Sequence, residues 1–510
     1  MDWFDSGWGL TLAVFLPVVG MAIVLSLPRA EEQAIKVVSL VTTVATLVVG
    51  IGLLARFDYD KTGALQFQVN KSWIDVIESR YHVGVDGIAL PLLVLSMLIT
   101  VMCVIYSWDH FPEPHNPKAF LALILLLETG MNGTFAAQDL ILFFIFFELV
   151  LLPMFFMIGV WGGPNRVYAS IKFFLFTLFG SALMLLSFLA LFFKFDTFDI
   201  PELAAIGGGD LVSSTQNLIF VGLFLGFAIK VPMFPFHTWL PDAHTEAPTV
   251  GSVLLAAILL KLGTYGFVRI ALPILPEAAE DWAPWIGLLA VIGIIYGALA
   301  CLAQRDMKRL VAFSSVAHMG FVMLGIATLT DFGINAAVFG MVAHGLITGM
   351  LFFLAGSVQE RFQTREFTRL GGLLTQAPHL AWILGFCAMA SLGLPGLAGF
   401  WGEFPAILSA YSPAGDLSDV TFRVYMVVAA VGTVLAAGYL LWMFQRVAFG
   451  AVKQEWADAH IHDVHTPEWI AWAPLLVLIL ALGVYPNLIF RVTDGAVTQV
   501  ADGVAKAIGG

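Results

Sequence analysis

The chain is a series of apolar segments that are each long enough to cross a lipid bilayer as an α-helix. A bilayer core about 30 Å thick requires roughly 20 apolar residues in a helix. The segments are too long, and too rich in Gly and Leu, for the alternating strands of about ten residues that build membrane β-barrels. The sequence therefore predicts an all-α polytopic membrane protein with about fourteen transmembrane helices, at 9–28, 36–56, 85–107, 118–136, 139–161, 168–193, 216–240, 248–271, 284–303, 309–328, 334–357, 378–410, 423–447 and 468–490.

The composition excludes a soluble protein and several kinds of cofactor site. Hydrophobic residues make up 59% of the 510 residues, charged residues 12%, and the mean hydropathy is +0.90. Most of the surface must therefore face phospholipid. The net charge of −12 argues against a nucleic-acid partner. Because Cys103, Cys301 and Cys387 lie far apart in apolar segments, no disulfide, zinc or iron–sulfur site is expected, and no cofactor in this chain.

The distribution of Lys and Arg predicts the orientation of the chain. More of these residues follow odd-numbered spans than even-numbered ones, whereas the even-numbered loops around 196–202 and 277–281 are acidic. We call the side with the odd-numbered loops the basic face and the opposite side the acidic face. Because basic loops stay in the cytoplasm, the basic face is predicted to be cytoplasmic, with both termini outside. The N-terminus has no basic segment before its apolar run, so no cleaved signal peptide is expected.

Two of the predicted spans are interrupted by Pro and Gly, which predicts an internal repeat. Pro232 and Pro235 lie near the end of 216–240, and SLGLPGLAGFWGEF occupies 391–404 within 378–410. Paired interrupted helices are typical of transporters built from inverted repeats. The predicted organisation is a three-span segment with an outer-face loop at 57–84, two inverted five-helix repeats, and a C-terminal span and tail, at 1–117, 118–271, 284–449 and 450–510.

Several titratable residues lie far from either end of their predicted spans. A charge at the bilayer centre costs roughly 3 kcal/mol on insertion scales, so such a residue pairs with another group or becomes neutral. Groups that are driven toward neutrality in this way suit the transfer of protons. The sequence therefore predicts a proton relay formed by Glu148, Lys230, Lys261, His318, His344 and Glu403.

Each of these residues also has a structural interpretation. A lysine can extend its amine to the membrane interface, although Lys230 and Lys261 lie deep for this. Glu148 can be a counter-ion, and His318 and His344 can be histidines that pack between helices. Glu403 can be stabilised by the free N–H groups that follow the second interruption, without any role in transport.

Other titratable residues are weaker candidates. The segment after the first interruption holds His237, Asp242 and His244 together with Glu246, but their spacing fits no zinc motif. A hydrated vestibule for proton uptake from the basic face is the preferred interpretation of this segment. Glu128, eleven residues before Asp139, is a further accessory candidate.

Five motifs carry a resemblance to a known family. The segment KVPMFPFHTWLPDAHTEAPT with VGSVLLAAILLKLGTYG (230–266) resembles the antiporter-like subunits of respiratory complex I, the proton-pumping NADH:quinone oxidoreductase. The segments DAHTEAPT and ILLKLG resemble the corresponding segments of the NuoM-type chain, which is the counterpart of mitochondrial subunit four. The other motifs are YHVGVDGIALPLLVL at 81–95, FFIFFELVLLPM at 143–154, RDMKRLVAFSSVAHMGF at 305–321 and GLPGLAGFWGEF at 393–404.

The resemblance implies roles for the buried residues and for partner subunits. Glu148 and Lys230 would be an interacting pair, Lys261 the central relay, and His318, His344 and Glu403 the route onward. NADH-to-quinone electron transfer in other subunits would drive the pump, so the flavin, the iron–sulfur clusters and the quinone site are expected there. The implied partners are the other membrane-arm subunits, especially two further antiporter-like chains, and the implied location is the bacterial inner membrane.

Three other functions remain open at this point. Mrp-type sodium/proton antiporters and membrane-bound hydrogenases contain subunits that share the buried lysine. A membrane cytochrome could use His318 and His344 as two haem ligands, since they lie at similar depth on adjacent spans. A purely structural scaffold is the last alternative, although a scaffold has no need of buried lysines.

Overall fold

The computed structural model describes residues 7–209 and 211–508, and most of these residues are helical. We number the main helices along the chain: α1 (Trp8–Ser26), α2 (Glu32–Arg56), α3 (Ala89–Tyr106), α4 (Pro117–Ala136), α5 (Leu140–Trp161), α6 (Arg166–Phe195), α7 (Ser213–Lys230), α8 (Trp239–Glu246), α9 (Thr249–Ile274), α10 (Pro276–Leu302), α11 (Met307–Ala327), α12 (Asp331–Phe362), α13 (Pro378–Ser391), α14 (Ala398–Ser409), α15 (Asp419–Ala448), α16 (Thr466–Val484) and α17 (Asn487–Ile508). Two short helices, Ile200–Ile206 and Leu373–Gln376, lie in loops.

Within the described residues, twelve helices are long and apolar enough to cross a membrane, namely α1 to α6, α9 to α12, α15 and α16. The protein is thus a polytopic helical membrane protein, as predicted, and each of the twelve overlaps a predicted span. The other two predicted spans, 216–240 and 378–410, are the broken pairs α7/α8 and α13/α14. The total of fourteen, like the boundaries of the two repeats, stays a prediction.

Both interruptions are present, and their local chemistry explains them. After α7, residues 231–238 leave the helical path because Pro232 and Pro235 supply no N–H group. The indole of Trp239 donates to the freed carbonyl of Ile229 at 2.9 Å. After α13, Gly393 and Gly396 have φ values of +80° and +95°, a conformation that strongly favours glycine. Each interruption therefore leaves non-helical backbone within a bundle of long helices. Val231 and Met233 in the first interruption are buried by this chain, whereas Leu394 in the second is 43% exposed.

The loop 57–84, which was predicted to lie on the outer face, contains a β-hairpin that the sequence did not predict. Strands β1 (Gln66–Ile74) and β2 (Ser79–Val85) pair in antiparallel fashion, with Asn70 opposite His82. Asp139 caps α5 and accepts hydrogen bonds from the Ser79 hydroxyl at 3.1 Å and the Arg80 N–H at 3.0 Å. The predicted all-α fold class is confirmed, and the hairpin is an addition to it in this loop. The strands were missed because partners distant in sequence hold them in place.

The C-terminal tail is also a folded element. The predicted span 468–490 is too long, because α16 ends at Val484 and α17 begins beyond Pro486. Helix α17 is amphipathic and buries Val492, Val497 and Val504 while its polar side stays exposed. It packs on α10 and α12. The tail thus braces the acidic face of the bundle, since α12 begins on that face.

A buried ion pair joins the other end of α12 to the start of α16. Arg361 donates to both carboxylate oxygens of Glu468, at 2.9 and 2.7 Å, and its side chain is 7% exposed against 0% for Glu468. The hydroxyl of Ser357 donates to the same carboxylate at 2.8 Å. The guanidinium also donates to the carbonyls of His462 and Asp463. This network attaches the loop before α16 to the bundle. It was not predicted from the sequence.

Candidate functional site

Two of the predicted residues, Lys261 and His344, are in direct contact in the interior of the bundle. Lys261 lies in α9 between two π-helical turns, Leu255–Leu259 and Phe267–Ala271, and such turns occur often at functional sites. Its Nζ lies 2.6 Å from Nδ1 of His344 and 2.5 Å from the carbonyl oxygen of Ala256. The amine therefore has one fixed acceptor and one partner that can itself accept or release a proton.

A second contact joins His318 to Glu403. Nδ1 of His318 lies 2.5 Å from Oε1 of Glu403, while Nε2 lies 3.0 Å from the hydroxyl of Tyr439 and 3.2 Å from that of Ser391. Helix α14 can bring Glu403 this close because a Cβ on the neighbouring Gly402 would come within 2.5 Å of the Cα of Gly340 in α12. The other carboxylate oxygen, Oε2, has no hydrogen-bond partner in the described residues.

A small cavity lies between these two pairs. Its volume is about 20 Å³, and His318, His344 and Glu403 all line it, with Ser391 and Thr348. The two imidazole rings are 6.0 Å apart between centroids, and Nε2 of His344 has no partner in the described residues. Most of the lining is apolar, but these polar side chains border it, and a cavity of this size has room for about one water molecule. The geometry thus allows a connected path from the Lys261 amine to the Glu403 carboxylate.

The same cavity argues against the cytochrome alternative. Cofactor-sized ligands occupy sites of several hundred Å³, and the space between His318 and His344 is about 20 Å³. In addition, Nδ1 of each ring already contacts another side chain, Glu403 or Lys261. A haem between these two histidines does not fit this arrangement.

Lys230 and Glu148 are close but form no direct ion pair. Nζ of Lys230 has no hydrogen-bond partner in the described residues, and it lies 4.8 Å from the centre of the Phe147 ring, a cation–π distance. The charges of Glu148 and Lys230 still interact through space. Lys230 packs against α9, since a Cβ on Gly263 would lie 3.1 Å from its own Cβ. The lysine is therefore beside the helix that carries Lys261, and a link between the two amines requires water.

The weaker candidates after the first interruption do not form a single cluster. Asp242 pairs with Lys172 at 2.7 Å and lies 3.8 Å from Arg309. His237 stacks on Phe234, and its Nδ1 has no partner in the part of the chain that the structure describes. The histidine and the carboxylate thus have separate neighbours, which gives no support to a metal site built from them.

His244 differs from its neighbours because it faces the interior. It is fully buried, stacks on Phe352 at 4.4 Å, and neither ring nitrogen has a partner in the described residues. The charges of Lys261 and Lys308 both act on it. Lys308 is itself 2% exposed and donates to the carbonyl of Ala247 at 2.5 Å. His244 is therefore within electrostatic range of both lysines.

A cleft of about 780 Å³ opens next to Lys308 on the basic face, and Glu246, Glu360 and Arg365 also line it. By sequence, Lys308 is only one of the basic residues whose distribution predicts the orientation, because it occurs at the start of a span within RDMKRL. Nothing in that short motif distinguishes a buried lysine from an interfacial one. The fold assigns Lys308 to the wall of the cleft.

Glu128 lies outside the connected path. It is fully buried in α4, and neither carboxylate oxygen has a partner in the described residues. Asn132, one turn further along, accepts from Ser96 at 2.8 Å and donates to the carbonyl of Ala13. No contact described for Glu128 joins it to Lys261 or His318, so its accessory role stays a prediction.

Raising the pH from about 6 to about 9 is expected to loosen the segment 107–116 beside the cleft. Burial lowers the pKa of His110, but the hydrogen bond and negative charge of Glu360, 2.7 Å away, outweigh it and raise this pKa above 6.5. The pair therefore stabilises the segment fully below pH 6.5 and loses its effect as the pH rises through the raised pKa. We expect protection from hydrogen exchange in 107–116 to fall roughly two- to fivefold.

The matched control is His110→Gln, in which exchange corrected for its intrinsic pH dependence should no longer change with pH. Glu360→Gln should behave in the same way, because it removes the charge that raises the pKa of His110. Wild-type exchange that does not depend on pH would contradict the assignment.

Comparisons with known proteins show which family the chain resembles. Residues 137–441 match the model of the family "NADH:quinone oxidoreductase/Mrp antiporter, TM", and residues 62–132 match "NADH-ubiquinone oxidoreductase chain 4, amino terminus". The NADH-quinone oxidoreductase subunit M of Rickettsia prowazekii is 40% identical over 486 residues, which cover 95% of this chain and 96% of the relative. The subunit M of Rhodobacter capsulatus is 40% identical over 514 residues, with 98% of each chain covered.

Solved structures show the same similarity. A chain in the respiratory complex I of Thermus thermophilus superposes with a TM-score of 0.85 at 30% identity, covering 98% of this chain and all of that one. A chain of the Mrp complex of Dietzia superposes with a TM-score of 0.84 at 20% identity, with full coverage of both. At that identity the second match supports a common fold and nothing more.

Proposed function

Because this chain belongs to the NADH-quinone oxidoreductase subunit M (chain 4) family of antiporter-like membrane subunits, we propose that it carries protons through its own buried side chains and performs no redox chemistry itself. The chain is a membrane-arm subunit of complex I in a bacterial respiratory membrane. The observation that supports the proposal is the connected path from Lys261 through His344 and the cavity to His318 and Glu403.

The proposed path begins at the cleft on the basic face. Lys308 lines this cleft, and the charges of Lys308 and Lys261 both act on His244, which would connect them. Both nitrogens of His244 are without a partner in the described residues, so the ring can accept a proton on one side and release it on the other. The path then continues from Lys261 to His344, across one water molecule to His318, and to Glu403.

Lys230 and Glu148 are proposed to control this transfer. In the structure their ion pair is open, so the position of the proton on Lys230 is not fixed by a contact with the carboxylate. At about 4 Å the closed pair would interact by about 4 kcal/mol at an effective dielectric constant of about 20. The open pair already interacts through space, so closing it gains only the difference. Moving a proton against about 180 mV requires about 4 kcal/mol, so opening and closing of this pair would supply part of that energy.

The remaining parts of the proposal concern orientation and partners. The basic face is proposed to be cytoplasmic and both termini outside, in accordance with the distribution of Lys and Arg. The flavin, the iron–sulfur clusters and the quinone site would belong to other subunits, and two further antiporter-like chains would flank this one. The similarity to an Mrp complex keeps sodium/proton exchange as the second candidate. Purification of this chain with NADH-oxidising activity would separate the two.

The experiment that tests the path is Glu403→Gln in the whole complex, reconstituted into proteoliposomes. Glutamine keeps the size of the side chain but cannot release a proton at the end of the path. We expect the number of protons moved per NADH oxidised to fall, and the coupled rate to fall at least about tenfold, since a positioned acid or base contributes roughly 10²-fold or more. Glu31→Gln, an exposed position on the basic face, is the matched control. Unchanged proton stoichiometry in Glu403→Gln would remove this residue from the path.

A further inference from the structure

A groove far from the proton path opens at the basic-face end of α1 and α4. Its volume is about 870 Å³, and helices α1, α2, α4 and the end of α5 form its walls. The deeper walls are apolar and include Met21, Leu25, Ala122, Leu126, Phe156 and Val160. Several of these side chains, such as Leu25 and Phe156, are about half exposed on the outside of the bundle. The groove therefore opens toward the lipid-facing side of the chain.

The mouth of the groove carries two cations that no carboxylate neutralises. Arg29 and Lys118 both line it, and neither forms an ion pair within the part of the chain that the structure describes. The Lys118 amine donates only to the carbonyl of Leu27, at 2.7 Å. The acid that lines the mouth, Glu32, is already paired with Lys36 at 2.7 Å and contacts His115 at 3.0 Å. The two free cations therefore leave the mouth positively charged.

The charged mouth and the apolar interior of the groove together match a ligand that has an anionic head and an apolar tail. From Lys118 to Leu126 the helix rises about 12 Å, so the charged mouth passes into an apolar interior over that distance. Trp161, whose indole donates to the carbonyl of Pro114, stands at the mouth, as tryptophan does at membrane–water interfaces. Two other occupants of the groove fit less well. An apolar helix of another chain would leave the two cations without a partner, and a soluble anion would leave the apolar walls uncovered.

We propose that this groove binds one anionic phospholipid, with its phosphate between Arg29 and Lys118 and one acyl chain along α1 and α4. Basic pockets between transmembrane helices on the cytoplasmic side are known to hold acidic lipid headgroups. The bound lipid fills the space between α1, α2 and α4. The site does not depend on the proton path, because none of its residues belongs to that path.

The test uses the intact complex in nanodiscs of phosphatidylcholine that contain a small fraction of phosphatidylglycerol with a photoreactive group on its acyl chain. After illumination and digestion, mass spectrometry measures the labelled fraction of peptides from α1 and α4. In Arg29→Gln/Lys118→Gln this fraction should fall about 30-fold, since each cation near an anionic headgroup contributes about 1 kcal/mol. Arg29→Lys/Lys118→Arg should keep most of the labelling.

The matched control is Arg305→Gln/Arg446→Gln, which removes two exposed cations of the basic face outside the groove. Labelling and NADH:quinone activity should both stay at the wild-type level in this variant. A photoreactive phosphatidylcholine should label the same peptides weakly and independently of Arg29 and Lys118. Equal labelling by both lipids in all variants would overturn the proposal, because it would show that only ordinary surrounding lipid contacts the groove. Absence of any label in the groove would also overturn it, because it would show that another subunit covers the groove.

Discussion

Replacing Lys230 with methionine is expected to stop coupled proton transport while leaving the chain at least as stable as before. Methionine has a similar length and no charge. The amine has no hydrogen-bond partner in the described residues. Its removal loses the cation–π contact with Phe147 and the through-space attraction to Glu148, but it also removes the cost of burying an ammonium group. We expect the proton-coupled rate of quinone reduction in proteoliposomes to fall at least about tenfold. The thermal midpoint of the purified complex should stay unchanged or rise.

Two further variants make this prediction specific to proton transfer. Lys230→Arg keeps the positive charge but cannot release a proton at accessible pH, so it should be as inactive as the methionine variant. Lys194→Met, at an exposed position at the end of α6, should behave like the wild type. Activity restored by arginine would show that the charge of Lys230 matters and its proton does not. Full proton stoichiometry in Lys230→Met would exclude the residue altogether.

Replacing Arg361 with leucine is expected to cause a large loss of local stability. The variant leaves Glu468 buried without its cation, and breaking one side of a buried pair costs about 3–5 kcal/mol. Since Arg361 also holds the carbonyls of His462 and Asp463, the segment 449–465 should detach from the bundle. The initial rate of proteolysis in this segment should rise by more than about 100-fold if cleavage follows the opening equilibrium.

The double variant Arg361→Leu/Glu468→Leu separates the charge effect from lost packing. It removes both charges, so most of the stability should return. Arg369→Leu is the matched control, because its pair with Glu455 reaches the same segment but both side chains are about 40% exposed. An exposed pair of this kind contributes little. Equal proteolysis in Arg361→Leu and Arg369→Leu would contradict the assigned role of the buried pair.

The sequence by itself determined the medium, most of the spans and which residues are chemically unusual. Only a bilayer accommodates so many apolar runs of about twenty residues, and Pro and Gly mark the interruptions at 231–238 and 392–397. Lys261 and His344 were recognisable for the same reason, because the cost of burying a titratable group is a property of the residue and its depth. This free-energy cost can be assigned from the sequence of one span, without knowing which other helices pack against it.

The tertiary structure alone decided which of these residues meet. Sequence order gave no sign that His344 contacts Lys261, that His318 contacts Glu403, or that Lys230 stands apart from the carboxylate of Glu148. It also concealed the hairpin and the buried position of Lys308. These features depend on the rotation and spacing of helices that are far apart in the chain. A contact of 2.6 Å differs from a gap by a small rotation of one helix, and packing against all the others sets that rotation.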